Sequence, residues 1–416
     1  MGTSGSRRLA MAQAAIVAAS FAMLLAATNS AYPLLPVYRD ALGLPPSVLS
    51  LTFSVYVGVF ALALLVLARP RFSRFAAPMV LASLVVMLAV DLLMLQSTAQ
   101  SILIGRSLAG LSTALGTGAA SALVVAAIGA GGRSVTATGN TAGAIVGVGS
   151  AQLLVSLLAD AAPQVFYVAH AIGLGVLLVA GGVVLRLRRA ENRAGLALAA
   201  GEPASLRVDA TGIRALVTGS IAWIATSIGG VLGATVFNEL GQPLAQAWGP
   251  IAMLLGSAVA QACAVPLTRF APWVSGLAAI ALGAAAIVTA AAFAFSWLAI
   301  IGFVLLGAGV GTACRISLIT LTLGASPARQ GALASLYAGV TYIVSAGVVL
   351  LVGGIGDSTG LVPAALATFC ALAVLALAAL LWSPRLRDTV DAARAGSPGA
   401  DAGDPESIGA RPARRT

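Results

Sequence analysis

The 416-residue chain holds few groups able to do chemistry, and several of them stand in apolar surroundings. Asp91, Arg106 and Arg315 fall inside long apolar runs. A charge at such a place costs about 2.5 to 3.5 kcal/mol on insertion scales, so it persists with a partner or a task. Asp91 and Arg106 lie on consecutive runs joined by a short turn, each about 8 Å inside its run at the helical rise. This spacing predicts an ion pair, which either neutralises itself or couples a proton to a conformational step, protonation of Asp91 releasing Arg106. Arg315 has no acid in its own run and either snorkels to the interface or draws anions into a pathway. Glu239 closes another run, as an exposed loop carboxylate or a second protonation site. The stretch Thr28-Asn29-Ser30-Ala31-Tyr32-Pro33-Leu34-Leu35-Pro36 mixes hydrogen-bonding side chains with two prolines. Prolines remove backbone donors, and a helix broken at membrane depth is tolerated where it lines a cavity, which makes Asn29 and Tyr32 cavity candidates. Simple termination of the helix at Pro33 is the other reading. His170, the single histidine, reads as a hydrogen-bonding residue rather than a proton relay.

The elements that must position these groups are membrane-spanning helices. Hydrophobic residues make up 59% of the chain and charged ones 9%, far below the share of about 25% that covers a soluble domain. Apolar runs of about 20 residues span a bilayer as a helix, and twelve are found. They run from Leu9 to Leu35, Ser47 to Ala68, Ala76 to Leu95, Ser101 to Ile128, Thr136 to Leu158, Val165 to Leu185, Ala215 to Phe237, Leu244 to Thr268, Pro272 to Phe295, Trp297 to Leu323, Ala332 to Ile355 and Val362 to Leu381. Residues 1–185 thus form a first six-helix bundle, 186–214 a polar linker, 215–383 a second bundle and 384–416 a polar tail expected to be disordered.

All 23 basic residues are arginines, and the net charge is +10. They are spread through interhelical loops instead of clustering with aromatic residues on one face, which excludes nucleic-acid binding as their reason. Twenty fall on one side of the twelve runs and Arg39 alone on the other, with Arg106 and Arg315 inside. The positive-inside rule then puts both termini in the cytoplasm. Abundant alanine and glycine with no lysine fit a GC-rich bacterial source, hence the inner membrane. The first run continues past any plausible signal-peptide cleavage site and is expected to be retained. Cys263, Cys314 and Cys370 have neither metal nor disulfide spacing and read as buried small hydrophobes. No P-loop, metal cluster or nucleophile constellation is present, so neither enzymatic activity nor a cofactor is expected.

Runs one to six recur in runs seven to twelve. Arg74-Phe75-Ala76-Ala77-Pro78 recurs as Arg269-Phe270-Ala271-Pro272, Gly105 and Gly110 as Gly302 and Gly307, Arg133 with Ala142-Gly143 as Arg329 with Ala338-Gly339, and Asp160 as Asp357. Internal repeats of this kind mark many transporters.

Three signatures resemble the major facilitator superfamily. Arg106-Ser107-Leu108-Ala109-Gly110 matches its Arg-x-x-x-Gly pattern. The series Gly139, Gly143 and Gly147 resembles the Gly-x-x-x-Gly-Pro-x-x-Gly pattern of the proton-coupled drug antiporter branch, with Ala144 where proline is usual. Val66-Leu67-Ala68-Arg69-Pro70-Arg71-Phe72-Ser73-Arg74 is a worn form of the family's loop between helices 2 and 3, keeping Arg71 and Arg74 but with Pro70 in place of its acidic latch residue. The resemblance implies an all-helical fold of two pseudo-symmetric six-helix halves working by alternating access. It also implies that the glycines of the fifth span let it slide against its partner in the other half. The expected activity is export of a small amphipathic or hydrophobic compound in exchange for protons by a monomer in the lipid bilayer. The alternatives are an uptake permease for a small metabolite and a non-transporting membrane receptor.

Overall fold

The computed structural model describes residues 2–67, 70–129, 132–193, 208–323, 325 and 327–388. Among them there are helices and turns but no strand. The helices are α1 (Gly2–Asn29), α2 (Ala31–Leu42), α3 (Pro46–Leu67), α4 (Ala76–Met94), α5 (Ala99–Ile128), α6 (Gly132–Leu158), α7 (Ala162–Leu187), α8 (Ala210–Ser227), α9 (Gly233–Glu239), α10 (Pro243–Phe270), α11 (Leu277–Phe293), α12 (Ser296–Thr322), α13 (Pro327–Thr359) and α14 (Leu361–Leu380). Two spans are broken. α1 and α2 are the halves of the first, α8 and α9 those of the seventh, so the fourteen helices make the twelve expected passes.

The break in the first span follows from its prolines. Pro33 has no N–H to donate to the Asn29 carbonyl, four residues back, and its ring crowds that carbonyl. The chain turns at Ser30 and resumes as α2, which carries Pro36 inside it. Helix termination at Pro33 is therefore not what happens. The seventh span is interrupted by a π-helical turn at Ile228–Leu232, a local widening that a Gly229-Gly230 pair accommodates and that often accompanies functional sites.

Other boundaries shift for local reasons. The ninth span starts at Leu277 instead of Pro272, because Gly276 adopts a left-handed backbone (φ +86°) that ends the turn before it. The free carbonyls of that turn are used: Leu386 N–H donates to Val274 (2.9 Å) and Arg387 N–H to Pro272 (2.9 Å). Residues 386–388, assigned to the tail by sequence, are thus tied to the bundle; 389–416 lie outside the described residues, as do 194–207 of the linker.

Helix packing rests on small residues. A Cβ on Gly110 would meet the Tyr56 backbone of α3, and one on Gly307 the Met253 backbone of α10. Both partners stand the same 197 residues apart as the glycines, so the repeat seen in sequence is a repeat of helix contacts. Gly143 and Gly147 approach the backbone of α1 at Ala22 and Ala26, and Gly139 lies 3.5 Å from the Ala18 carbonyl by the same measure. The close approach of this series fastens α6 to α1 within the first half, as small residues do wherever backbones must touch, while α6 as a whole also meets α10 of the other half. The lipid-facing surface is apolar, as in the stripe Val168, Ile172, Val176, Val179 and Val183 of α7. Cys263 and Cys370 are exposed on it and not buried as expected.

Candidate functional site

The seam between the halves is lined where α3 meets α13 and where α2 meets α9 and the π-helical turn. Beside the seam, within the first half, Arg106 is buried on α5, 4% exposed. Its Nη1 donates to the Thr28 carbonyl (3.1 Å) and its Nε to the Thr52 carbonyl (3.4 Å). The guanidinium sits 4.5 Å from the centre of the Tyr56 ring, a cation–π arrangement. The Thr28 carbonyl lies two residues before the α1–α2 break at Ser30 and that of Thr52 inside α3. An arginine cannot shed its proton in this setting, so backbone oxygens and a ring face take the place of a counter-ion.

From Tyr56 a row of rings crosses the seam. Tyr56 and Phe60, one turn apart on α3, have centroids 6.1 Å apart; Phe60 meets Tyr342 of α13 at 5.2 Å, and Tyr342 meets Trp223 of α8 edge to face at 4.0 Å. Among the described residues Trp223 Nε1 is buried without a hydrogen-bond acceptor. Tyr32 packs on Gly230 of the π-helical turn, where an added Cβ would come within 3.0 Å of its ring. The broken first span and the widened seventh therefore meet, each at its irregular point. Tyr32, expected to line a cavity, is buried against this turn of the other half. Asn29 is half-buried and spends its amide on the Leu25 carbonyl of its own helix (2.8 Å).

The predicted Asp91–Arg106 pair does not form. Asp91 Oδ2 is 2.7 Å from His170 Nδ1, with both groups buried, and His170 Nε2 is 3.0 Å from the Met23 carbonyl. Phe166 stacks on the imidazole at 5.8 Å. The helix bounds place Asp91 three residues before the end of α4 and Arg106 seven residues into α5, and α4 turns Asp91 toward α7 while α5 turns Arg106 toward α1 and α3. His170, taken as an ordinary hydrogen-bonding residue, is the partner that Asp91 needed. With Nε2 facing a carbonyl, that nitrogen carries a proton, and Nδ1 then either shares a proton with the carboxylate or holds a second one.

Glu239 is salt-bridged to Arg39, the lone arginine on its side of the bundle. Asn238 reaches Asp40 (3.4 Å), and the Ser47 N–H donates to Asp357 (2.9 Å). Together these contacts clasp the two halves at the end remote from the chain termini. Arg315 is half-buried on α12, twelve residues beyond Phe303, and among the described residues it has no hydrogen bond or ion pair. Arg74 lies at the opposite end, its guanidinium 4.7 Å from the Phe75 ring; the side chain of Arg71 is outside the described residues. The sequence reading missed the aromatic row. Tyr56 and Phe60 at one-turn spacing were its visible trace, whereas Tyr342 and Trp223 join only through packing of the halves. Among the described residues no group of three or more His, Cys, Asp or Glu side chains is placed to hold a metal ion.

A multi-pass helical membrane protein of two pseudo-symmetric halves with broken helices at the seam has the architecture of the major facilitator superfamily. No protein-family model and no curated protein matches the chain by sequence. Among solved structures, the nucleoside transporter NupG superposes with a TM-score of 0.62 at 14% identity, covering 90% of this chain and 98% of the other. A point mutant of NupG superposes with a TM-score of 0.64 at 12% identity, covering 90% and 99%. The likeness extends over essentially the whole of both chains, and at this identity it defines the fold.

Proposed function

We propose that the protein is a secondary transporter that takes up a small, uncharged, ring-bearing metabolite of the nucleoside class by alternating access. The observation that carries this reading is the row of rings from Tyr56 to Trp223 beside a buried Arg106 with no carboxylate partner. Flat ring faces with a few fixed donors suit a polar heterocycle: the rings stack on it, while Arg106 and Trp223 Nε1 offer donors to its acceptor atoms. The resemblance in fold to nucleoside transporters supports the same class of cargo. Such a compound is a metabolite to be gathered, which favours uptake over the export expected from the glycine series. That series, fastening helices of one half, is packing that either direction of transport requires.

In this reading the arginine-rich end, with both termini, faces the cytoplasm of a bacterial inner membrane. The clasp of Arg39 with Glu239 then closes the outer side, a state in which cargo leaves inward. The protein works as a monomer, and Asp91 with His170 forms the proton-coupling group. The direct test is accumulation of radiolabelled uridine and adenosine in a bacterial host lacking its own nucleoside carriers. Accumulation above the empty vector, abolished by a protonophore, is expected. Uptake equal to the vector for nucleosides, free nucleobases and related heterocycles would end this reading. Protonophore-insensitive uptake would remove the proton and leave the cargo.

A further inference from the structure

A second site lies far from the seam, at the end of the bundle that holds the termini. Arg74, at the start of α4, and Arg189 and Arg193, just after α7, line one cleft of about 530 Å³ whose walls are Phe75, Ala77, Pro78 and Leu185. The three arginines are exposed, and among the described residues none is ion-paired. The nearest acid in sequence, Glu191, is taken by Arg188 at 2.6 Å. The segment bearing Arg189 and Arg193 is held in place by a buried polar knot. The Gln13 amide donates to the Leu123 carbonyl (3.1 Å) and to Asn192 (2.9 Å), while Asn192 and Arg188 donate back to Gln13 (3.1 and 3.3 Å). The cleft is therefore a built one, with the backbone that carries Arg189 and Arg193 pinned beside the turn that carries Arg74.

Below the cleft, α4 and α7 turn apolar side chains outward, Val85 and Leu92 on one and Val176, Val179, Val183 and Leu187 on the other. Three positive groups at the membrane surface, directly above an apolar face of two adjacent helices, match one molecule in both its parts. We propose that this cleft binds an anionic phospholipid, its phosphate held by Arg74, Arg189 and Arg193 and its acyl chains laid along α4 and α7. Guanidinium groups bind phosphate oxygens in charge-assisted pairs, and basic pockets between spanning helices at such an interface bind anionic headgroups. A zwitterionic lipid brings its own cation into the cleft and is disfavoured.

The test is native mass spectrometry of the full-length protein in detergent, supplied with phosphatidylglycerol or phosphatidylcholine. The wild type is expected to retain one phosphatidylglycerol under conditions that strip phosphatidylcholine. The combined variant Arg74→Gln, Arg189→Gln, Arg193→Gln is expected to lose at least five-sixths of that occupancy, about 1 kcal/mol at RT ≈ 0.6 kcal/mol. Arg214→Gln with Arg269→Gln, exposed arginines at the same end, should leave it unchanged. If the triple variant is not monodisperse, the exposed single change Arg189→Glu carries the test, with loss of retention expected. Equal retention by variant and wild type, equal retention of the two lipids, or equal loss in the Arg214 and Arg269 control would each overturn the proposal. So would displacement of phosphatidylglycerol by millimolar inorganic phosphate, which would make the cleft a site for free phosphate.

Discussion

Where the first half holds a cation, the second holds a ring. Arg106 on α5 and Phe303 on α12 stand 197 residues apart, the offset that also relates Thr52 to Gly249 and Tyr56 to Met253. In the first half Arg106 bonds the Thr52 carbonyl and lies over Tyr56. In the second, Phe303 fills the space against Gly249 and Gly233 beside Met253, fully buried. The same contrast holds elsewhere: α4 and α7 carry Asp91 and His170, while α11 and α14, their counterparts, hold no charged residue. At these positions one scaffold, repeated, carries charged or ionisable groups in one half and apolar side chains in the other. The lesson is that a pseudo-symmetric pair of bundles need not divide its chemistry equally. At these matched positions the second half offers an apolar wall with the aromatic residues Trp223 and Tyr342, and the first half offers Arg106, Asp91 and His170.

The sharpest way to break this comparison is to exchange the two residues. Arg106→Leu is expected to lower transport by about 100-fold or more at normal membrane levels, because its donors and its charge over the Tyr56 ring are gone. Phe303→Ala should instead cost about 3 to 5 kcal/mol of stability by opening a cavity, with little change in transport per folded molecule. Uptake assays paired with thermal unfolding of the purified variants read both. If Phe303→Ala harms transport as much as Arg106→Leu does at equal stability, the division of labour is wrong.

The next contrast concerns glycines of matched position. Gly143→Ala thrusts a methyl into the α1 backbone at Ala22, which cannot yield, whereas Gly339→Ala meets only the end of the flexible Leu65 side chain at 3.2 Å. Transport by the first variant should fall at least about tenfold while the second stays within about twofold, since overpacking against backbone costs about 1 to 3 kcal/mol. Smaller still is the effect expected at the buried pair. Asp91→Asn and His170→Gln should each reduce proton-driven uptake in proteoliposomes by about tenfold, and the double variant should be no worse than either alone, the mark of residues acting as one unit. Full proton-driven transport by Asp91→Asn would remove the pair from the coupling. Last comes the clasp: Arg39→Ala or Glu239→Ala breaks a partly exposed ion pair worth about 0.2 to 1 kcal/mol. The expected result is greater labelling of a cysteine placed at Asp40, with transport retained.

Much of this architecture was legible in the sequence. A twenty-residue apolar run commits a helix to the bilayer whatever surrounds it, because each unpaired backbone group in hydrocarbon costs several kcal/mol. Arginine placement follows the same local logic, and Pro33 announced the break after Asn29 although the helix resumes beyond it. The site was less legible. Asp91 and Arg106 were found and given the wrong partner, and the row from Tyr56 to Trp223, which needs both halves, was not seen.

The division has a physical cause. Sequence determined the apolar helices of this chain and which of them carries each polar group, since a run of apolar residues commits to a helix by itself. Only the tertiary structure decided which groups meet. Successive residues turn about 100° around the helix axis, so the partner of Asp91 depends on which helix stands on that face, and that is set by glycine contacts among helices distant in the chain. Asp91 therefore found His170, 79 residues away, while Arg106, on the adjoining helix, turns to the carbonyls of Thr28 and Thr52.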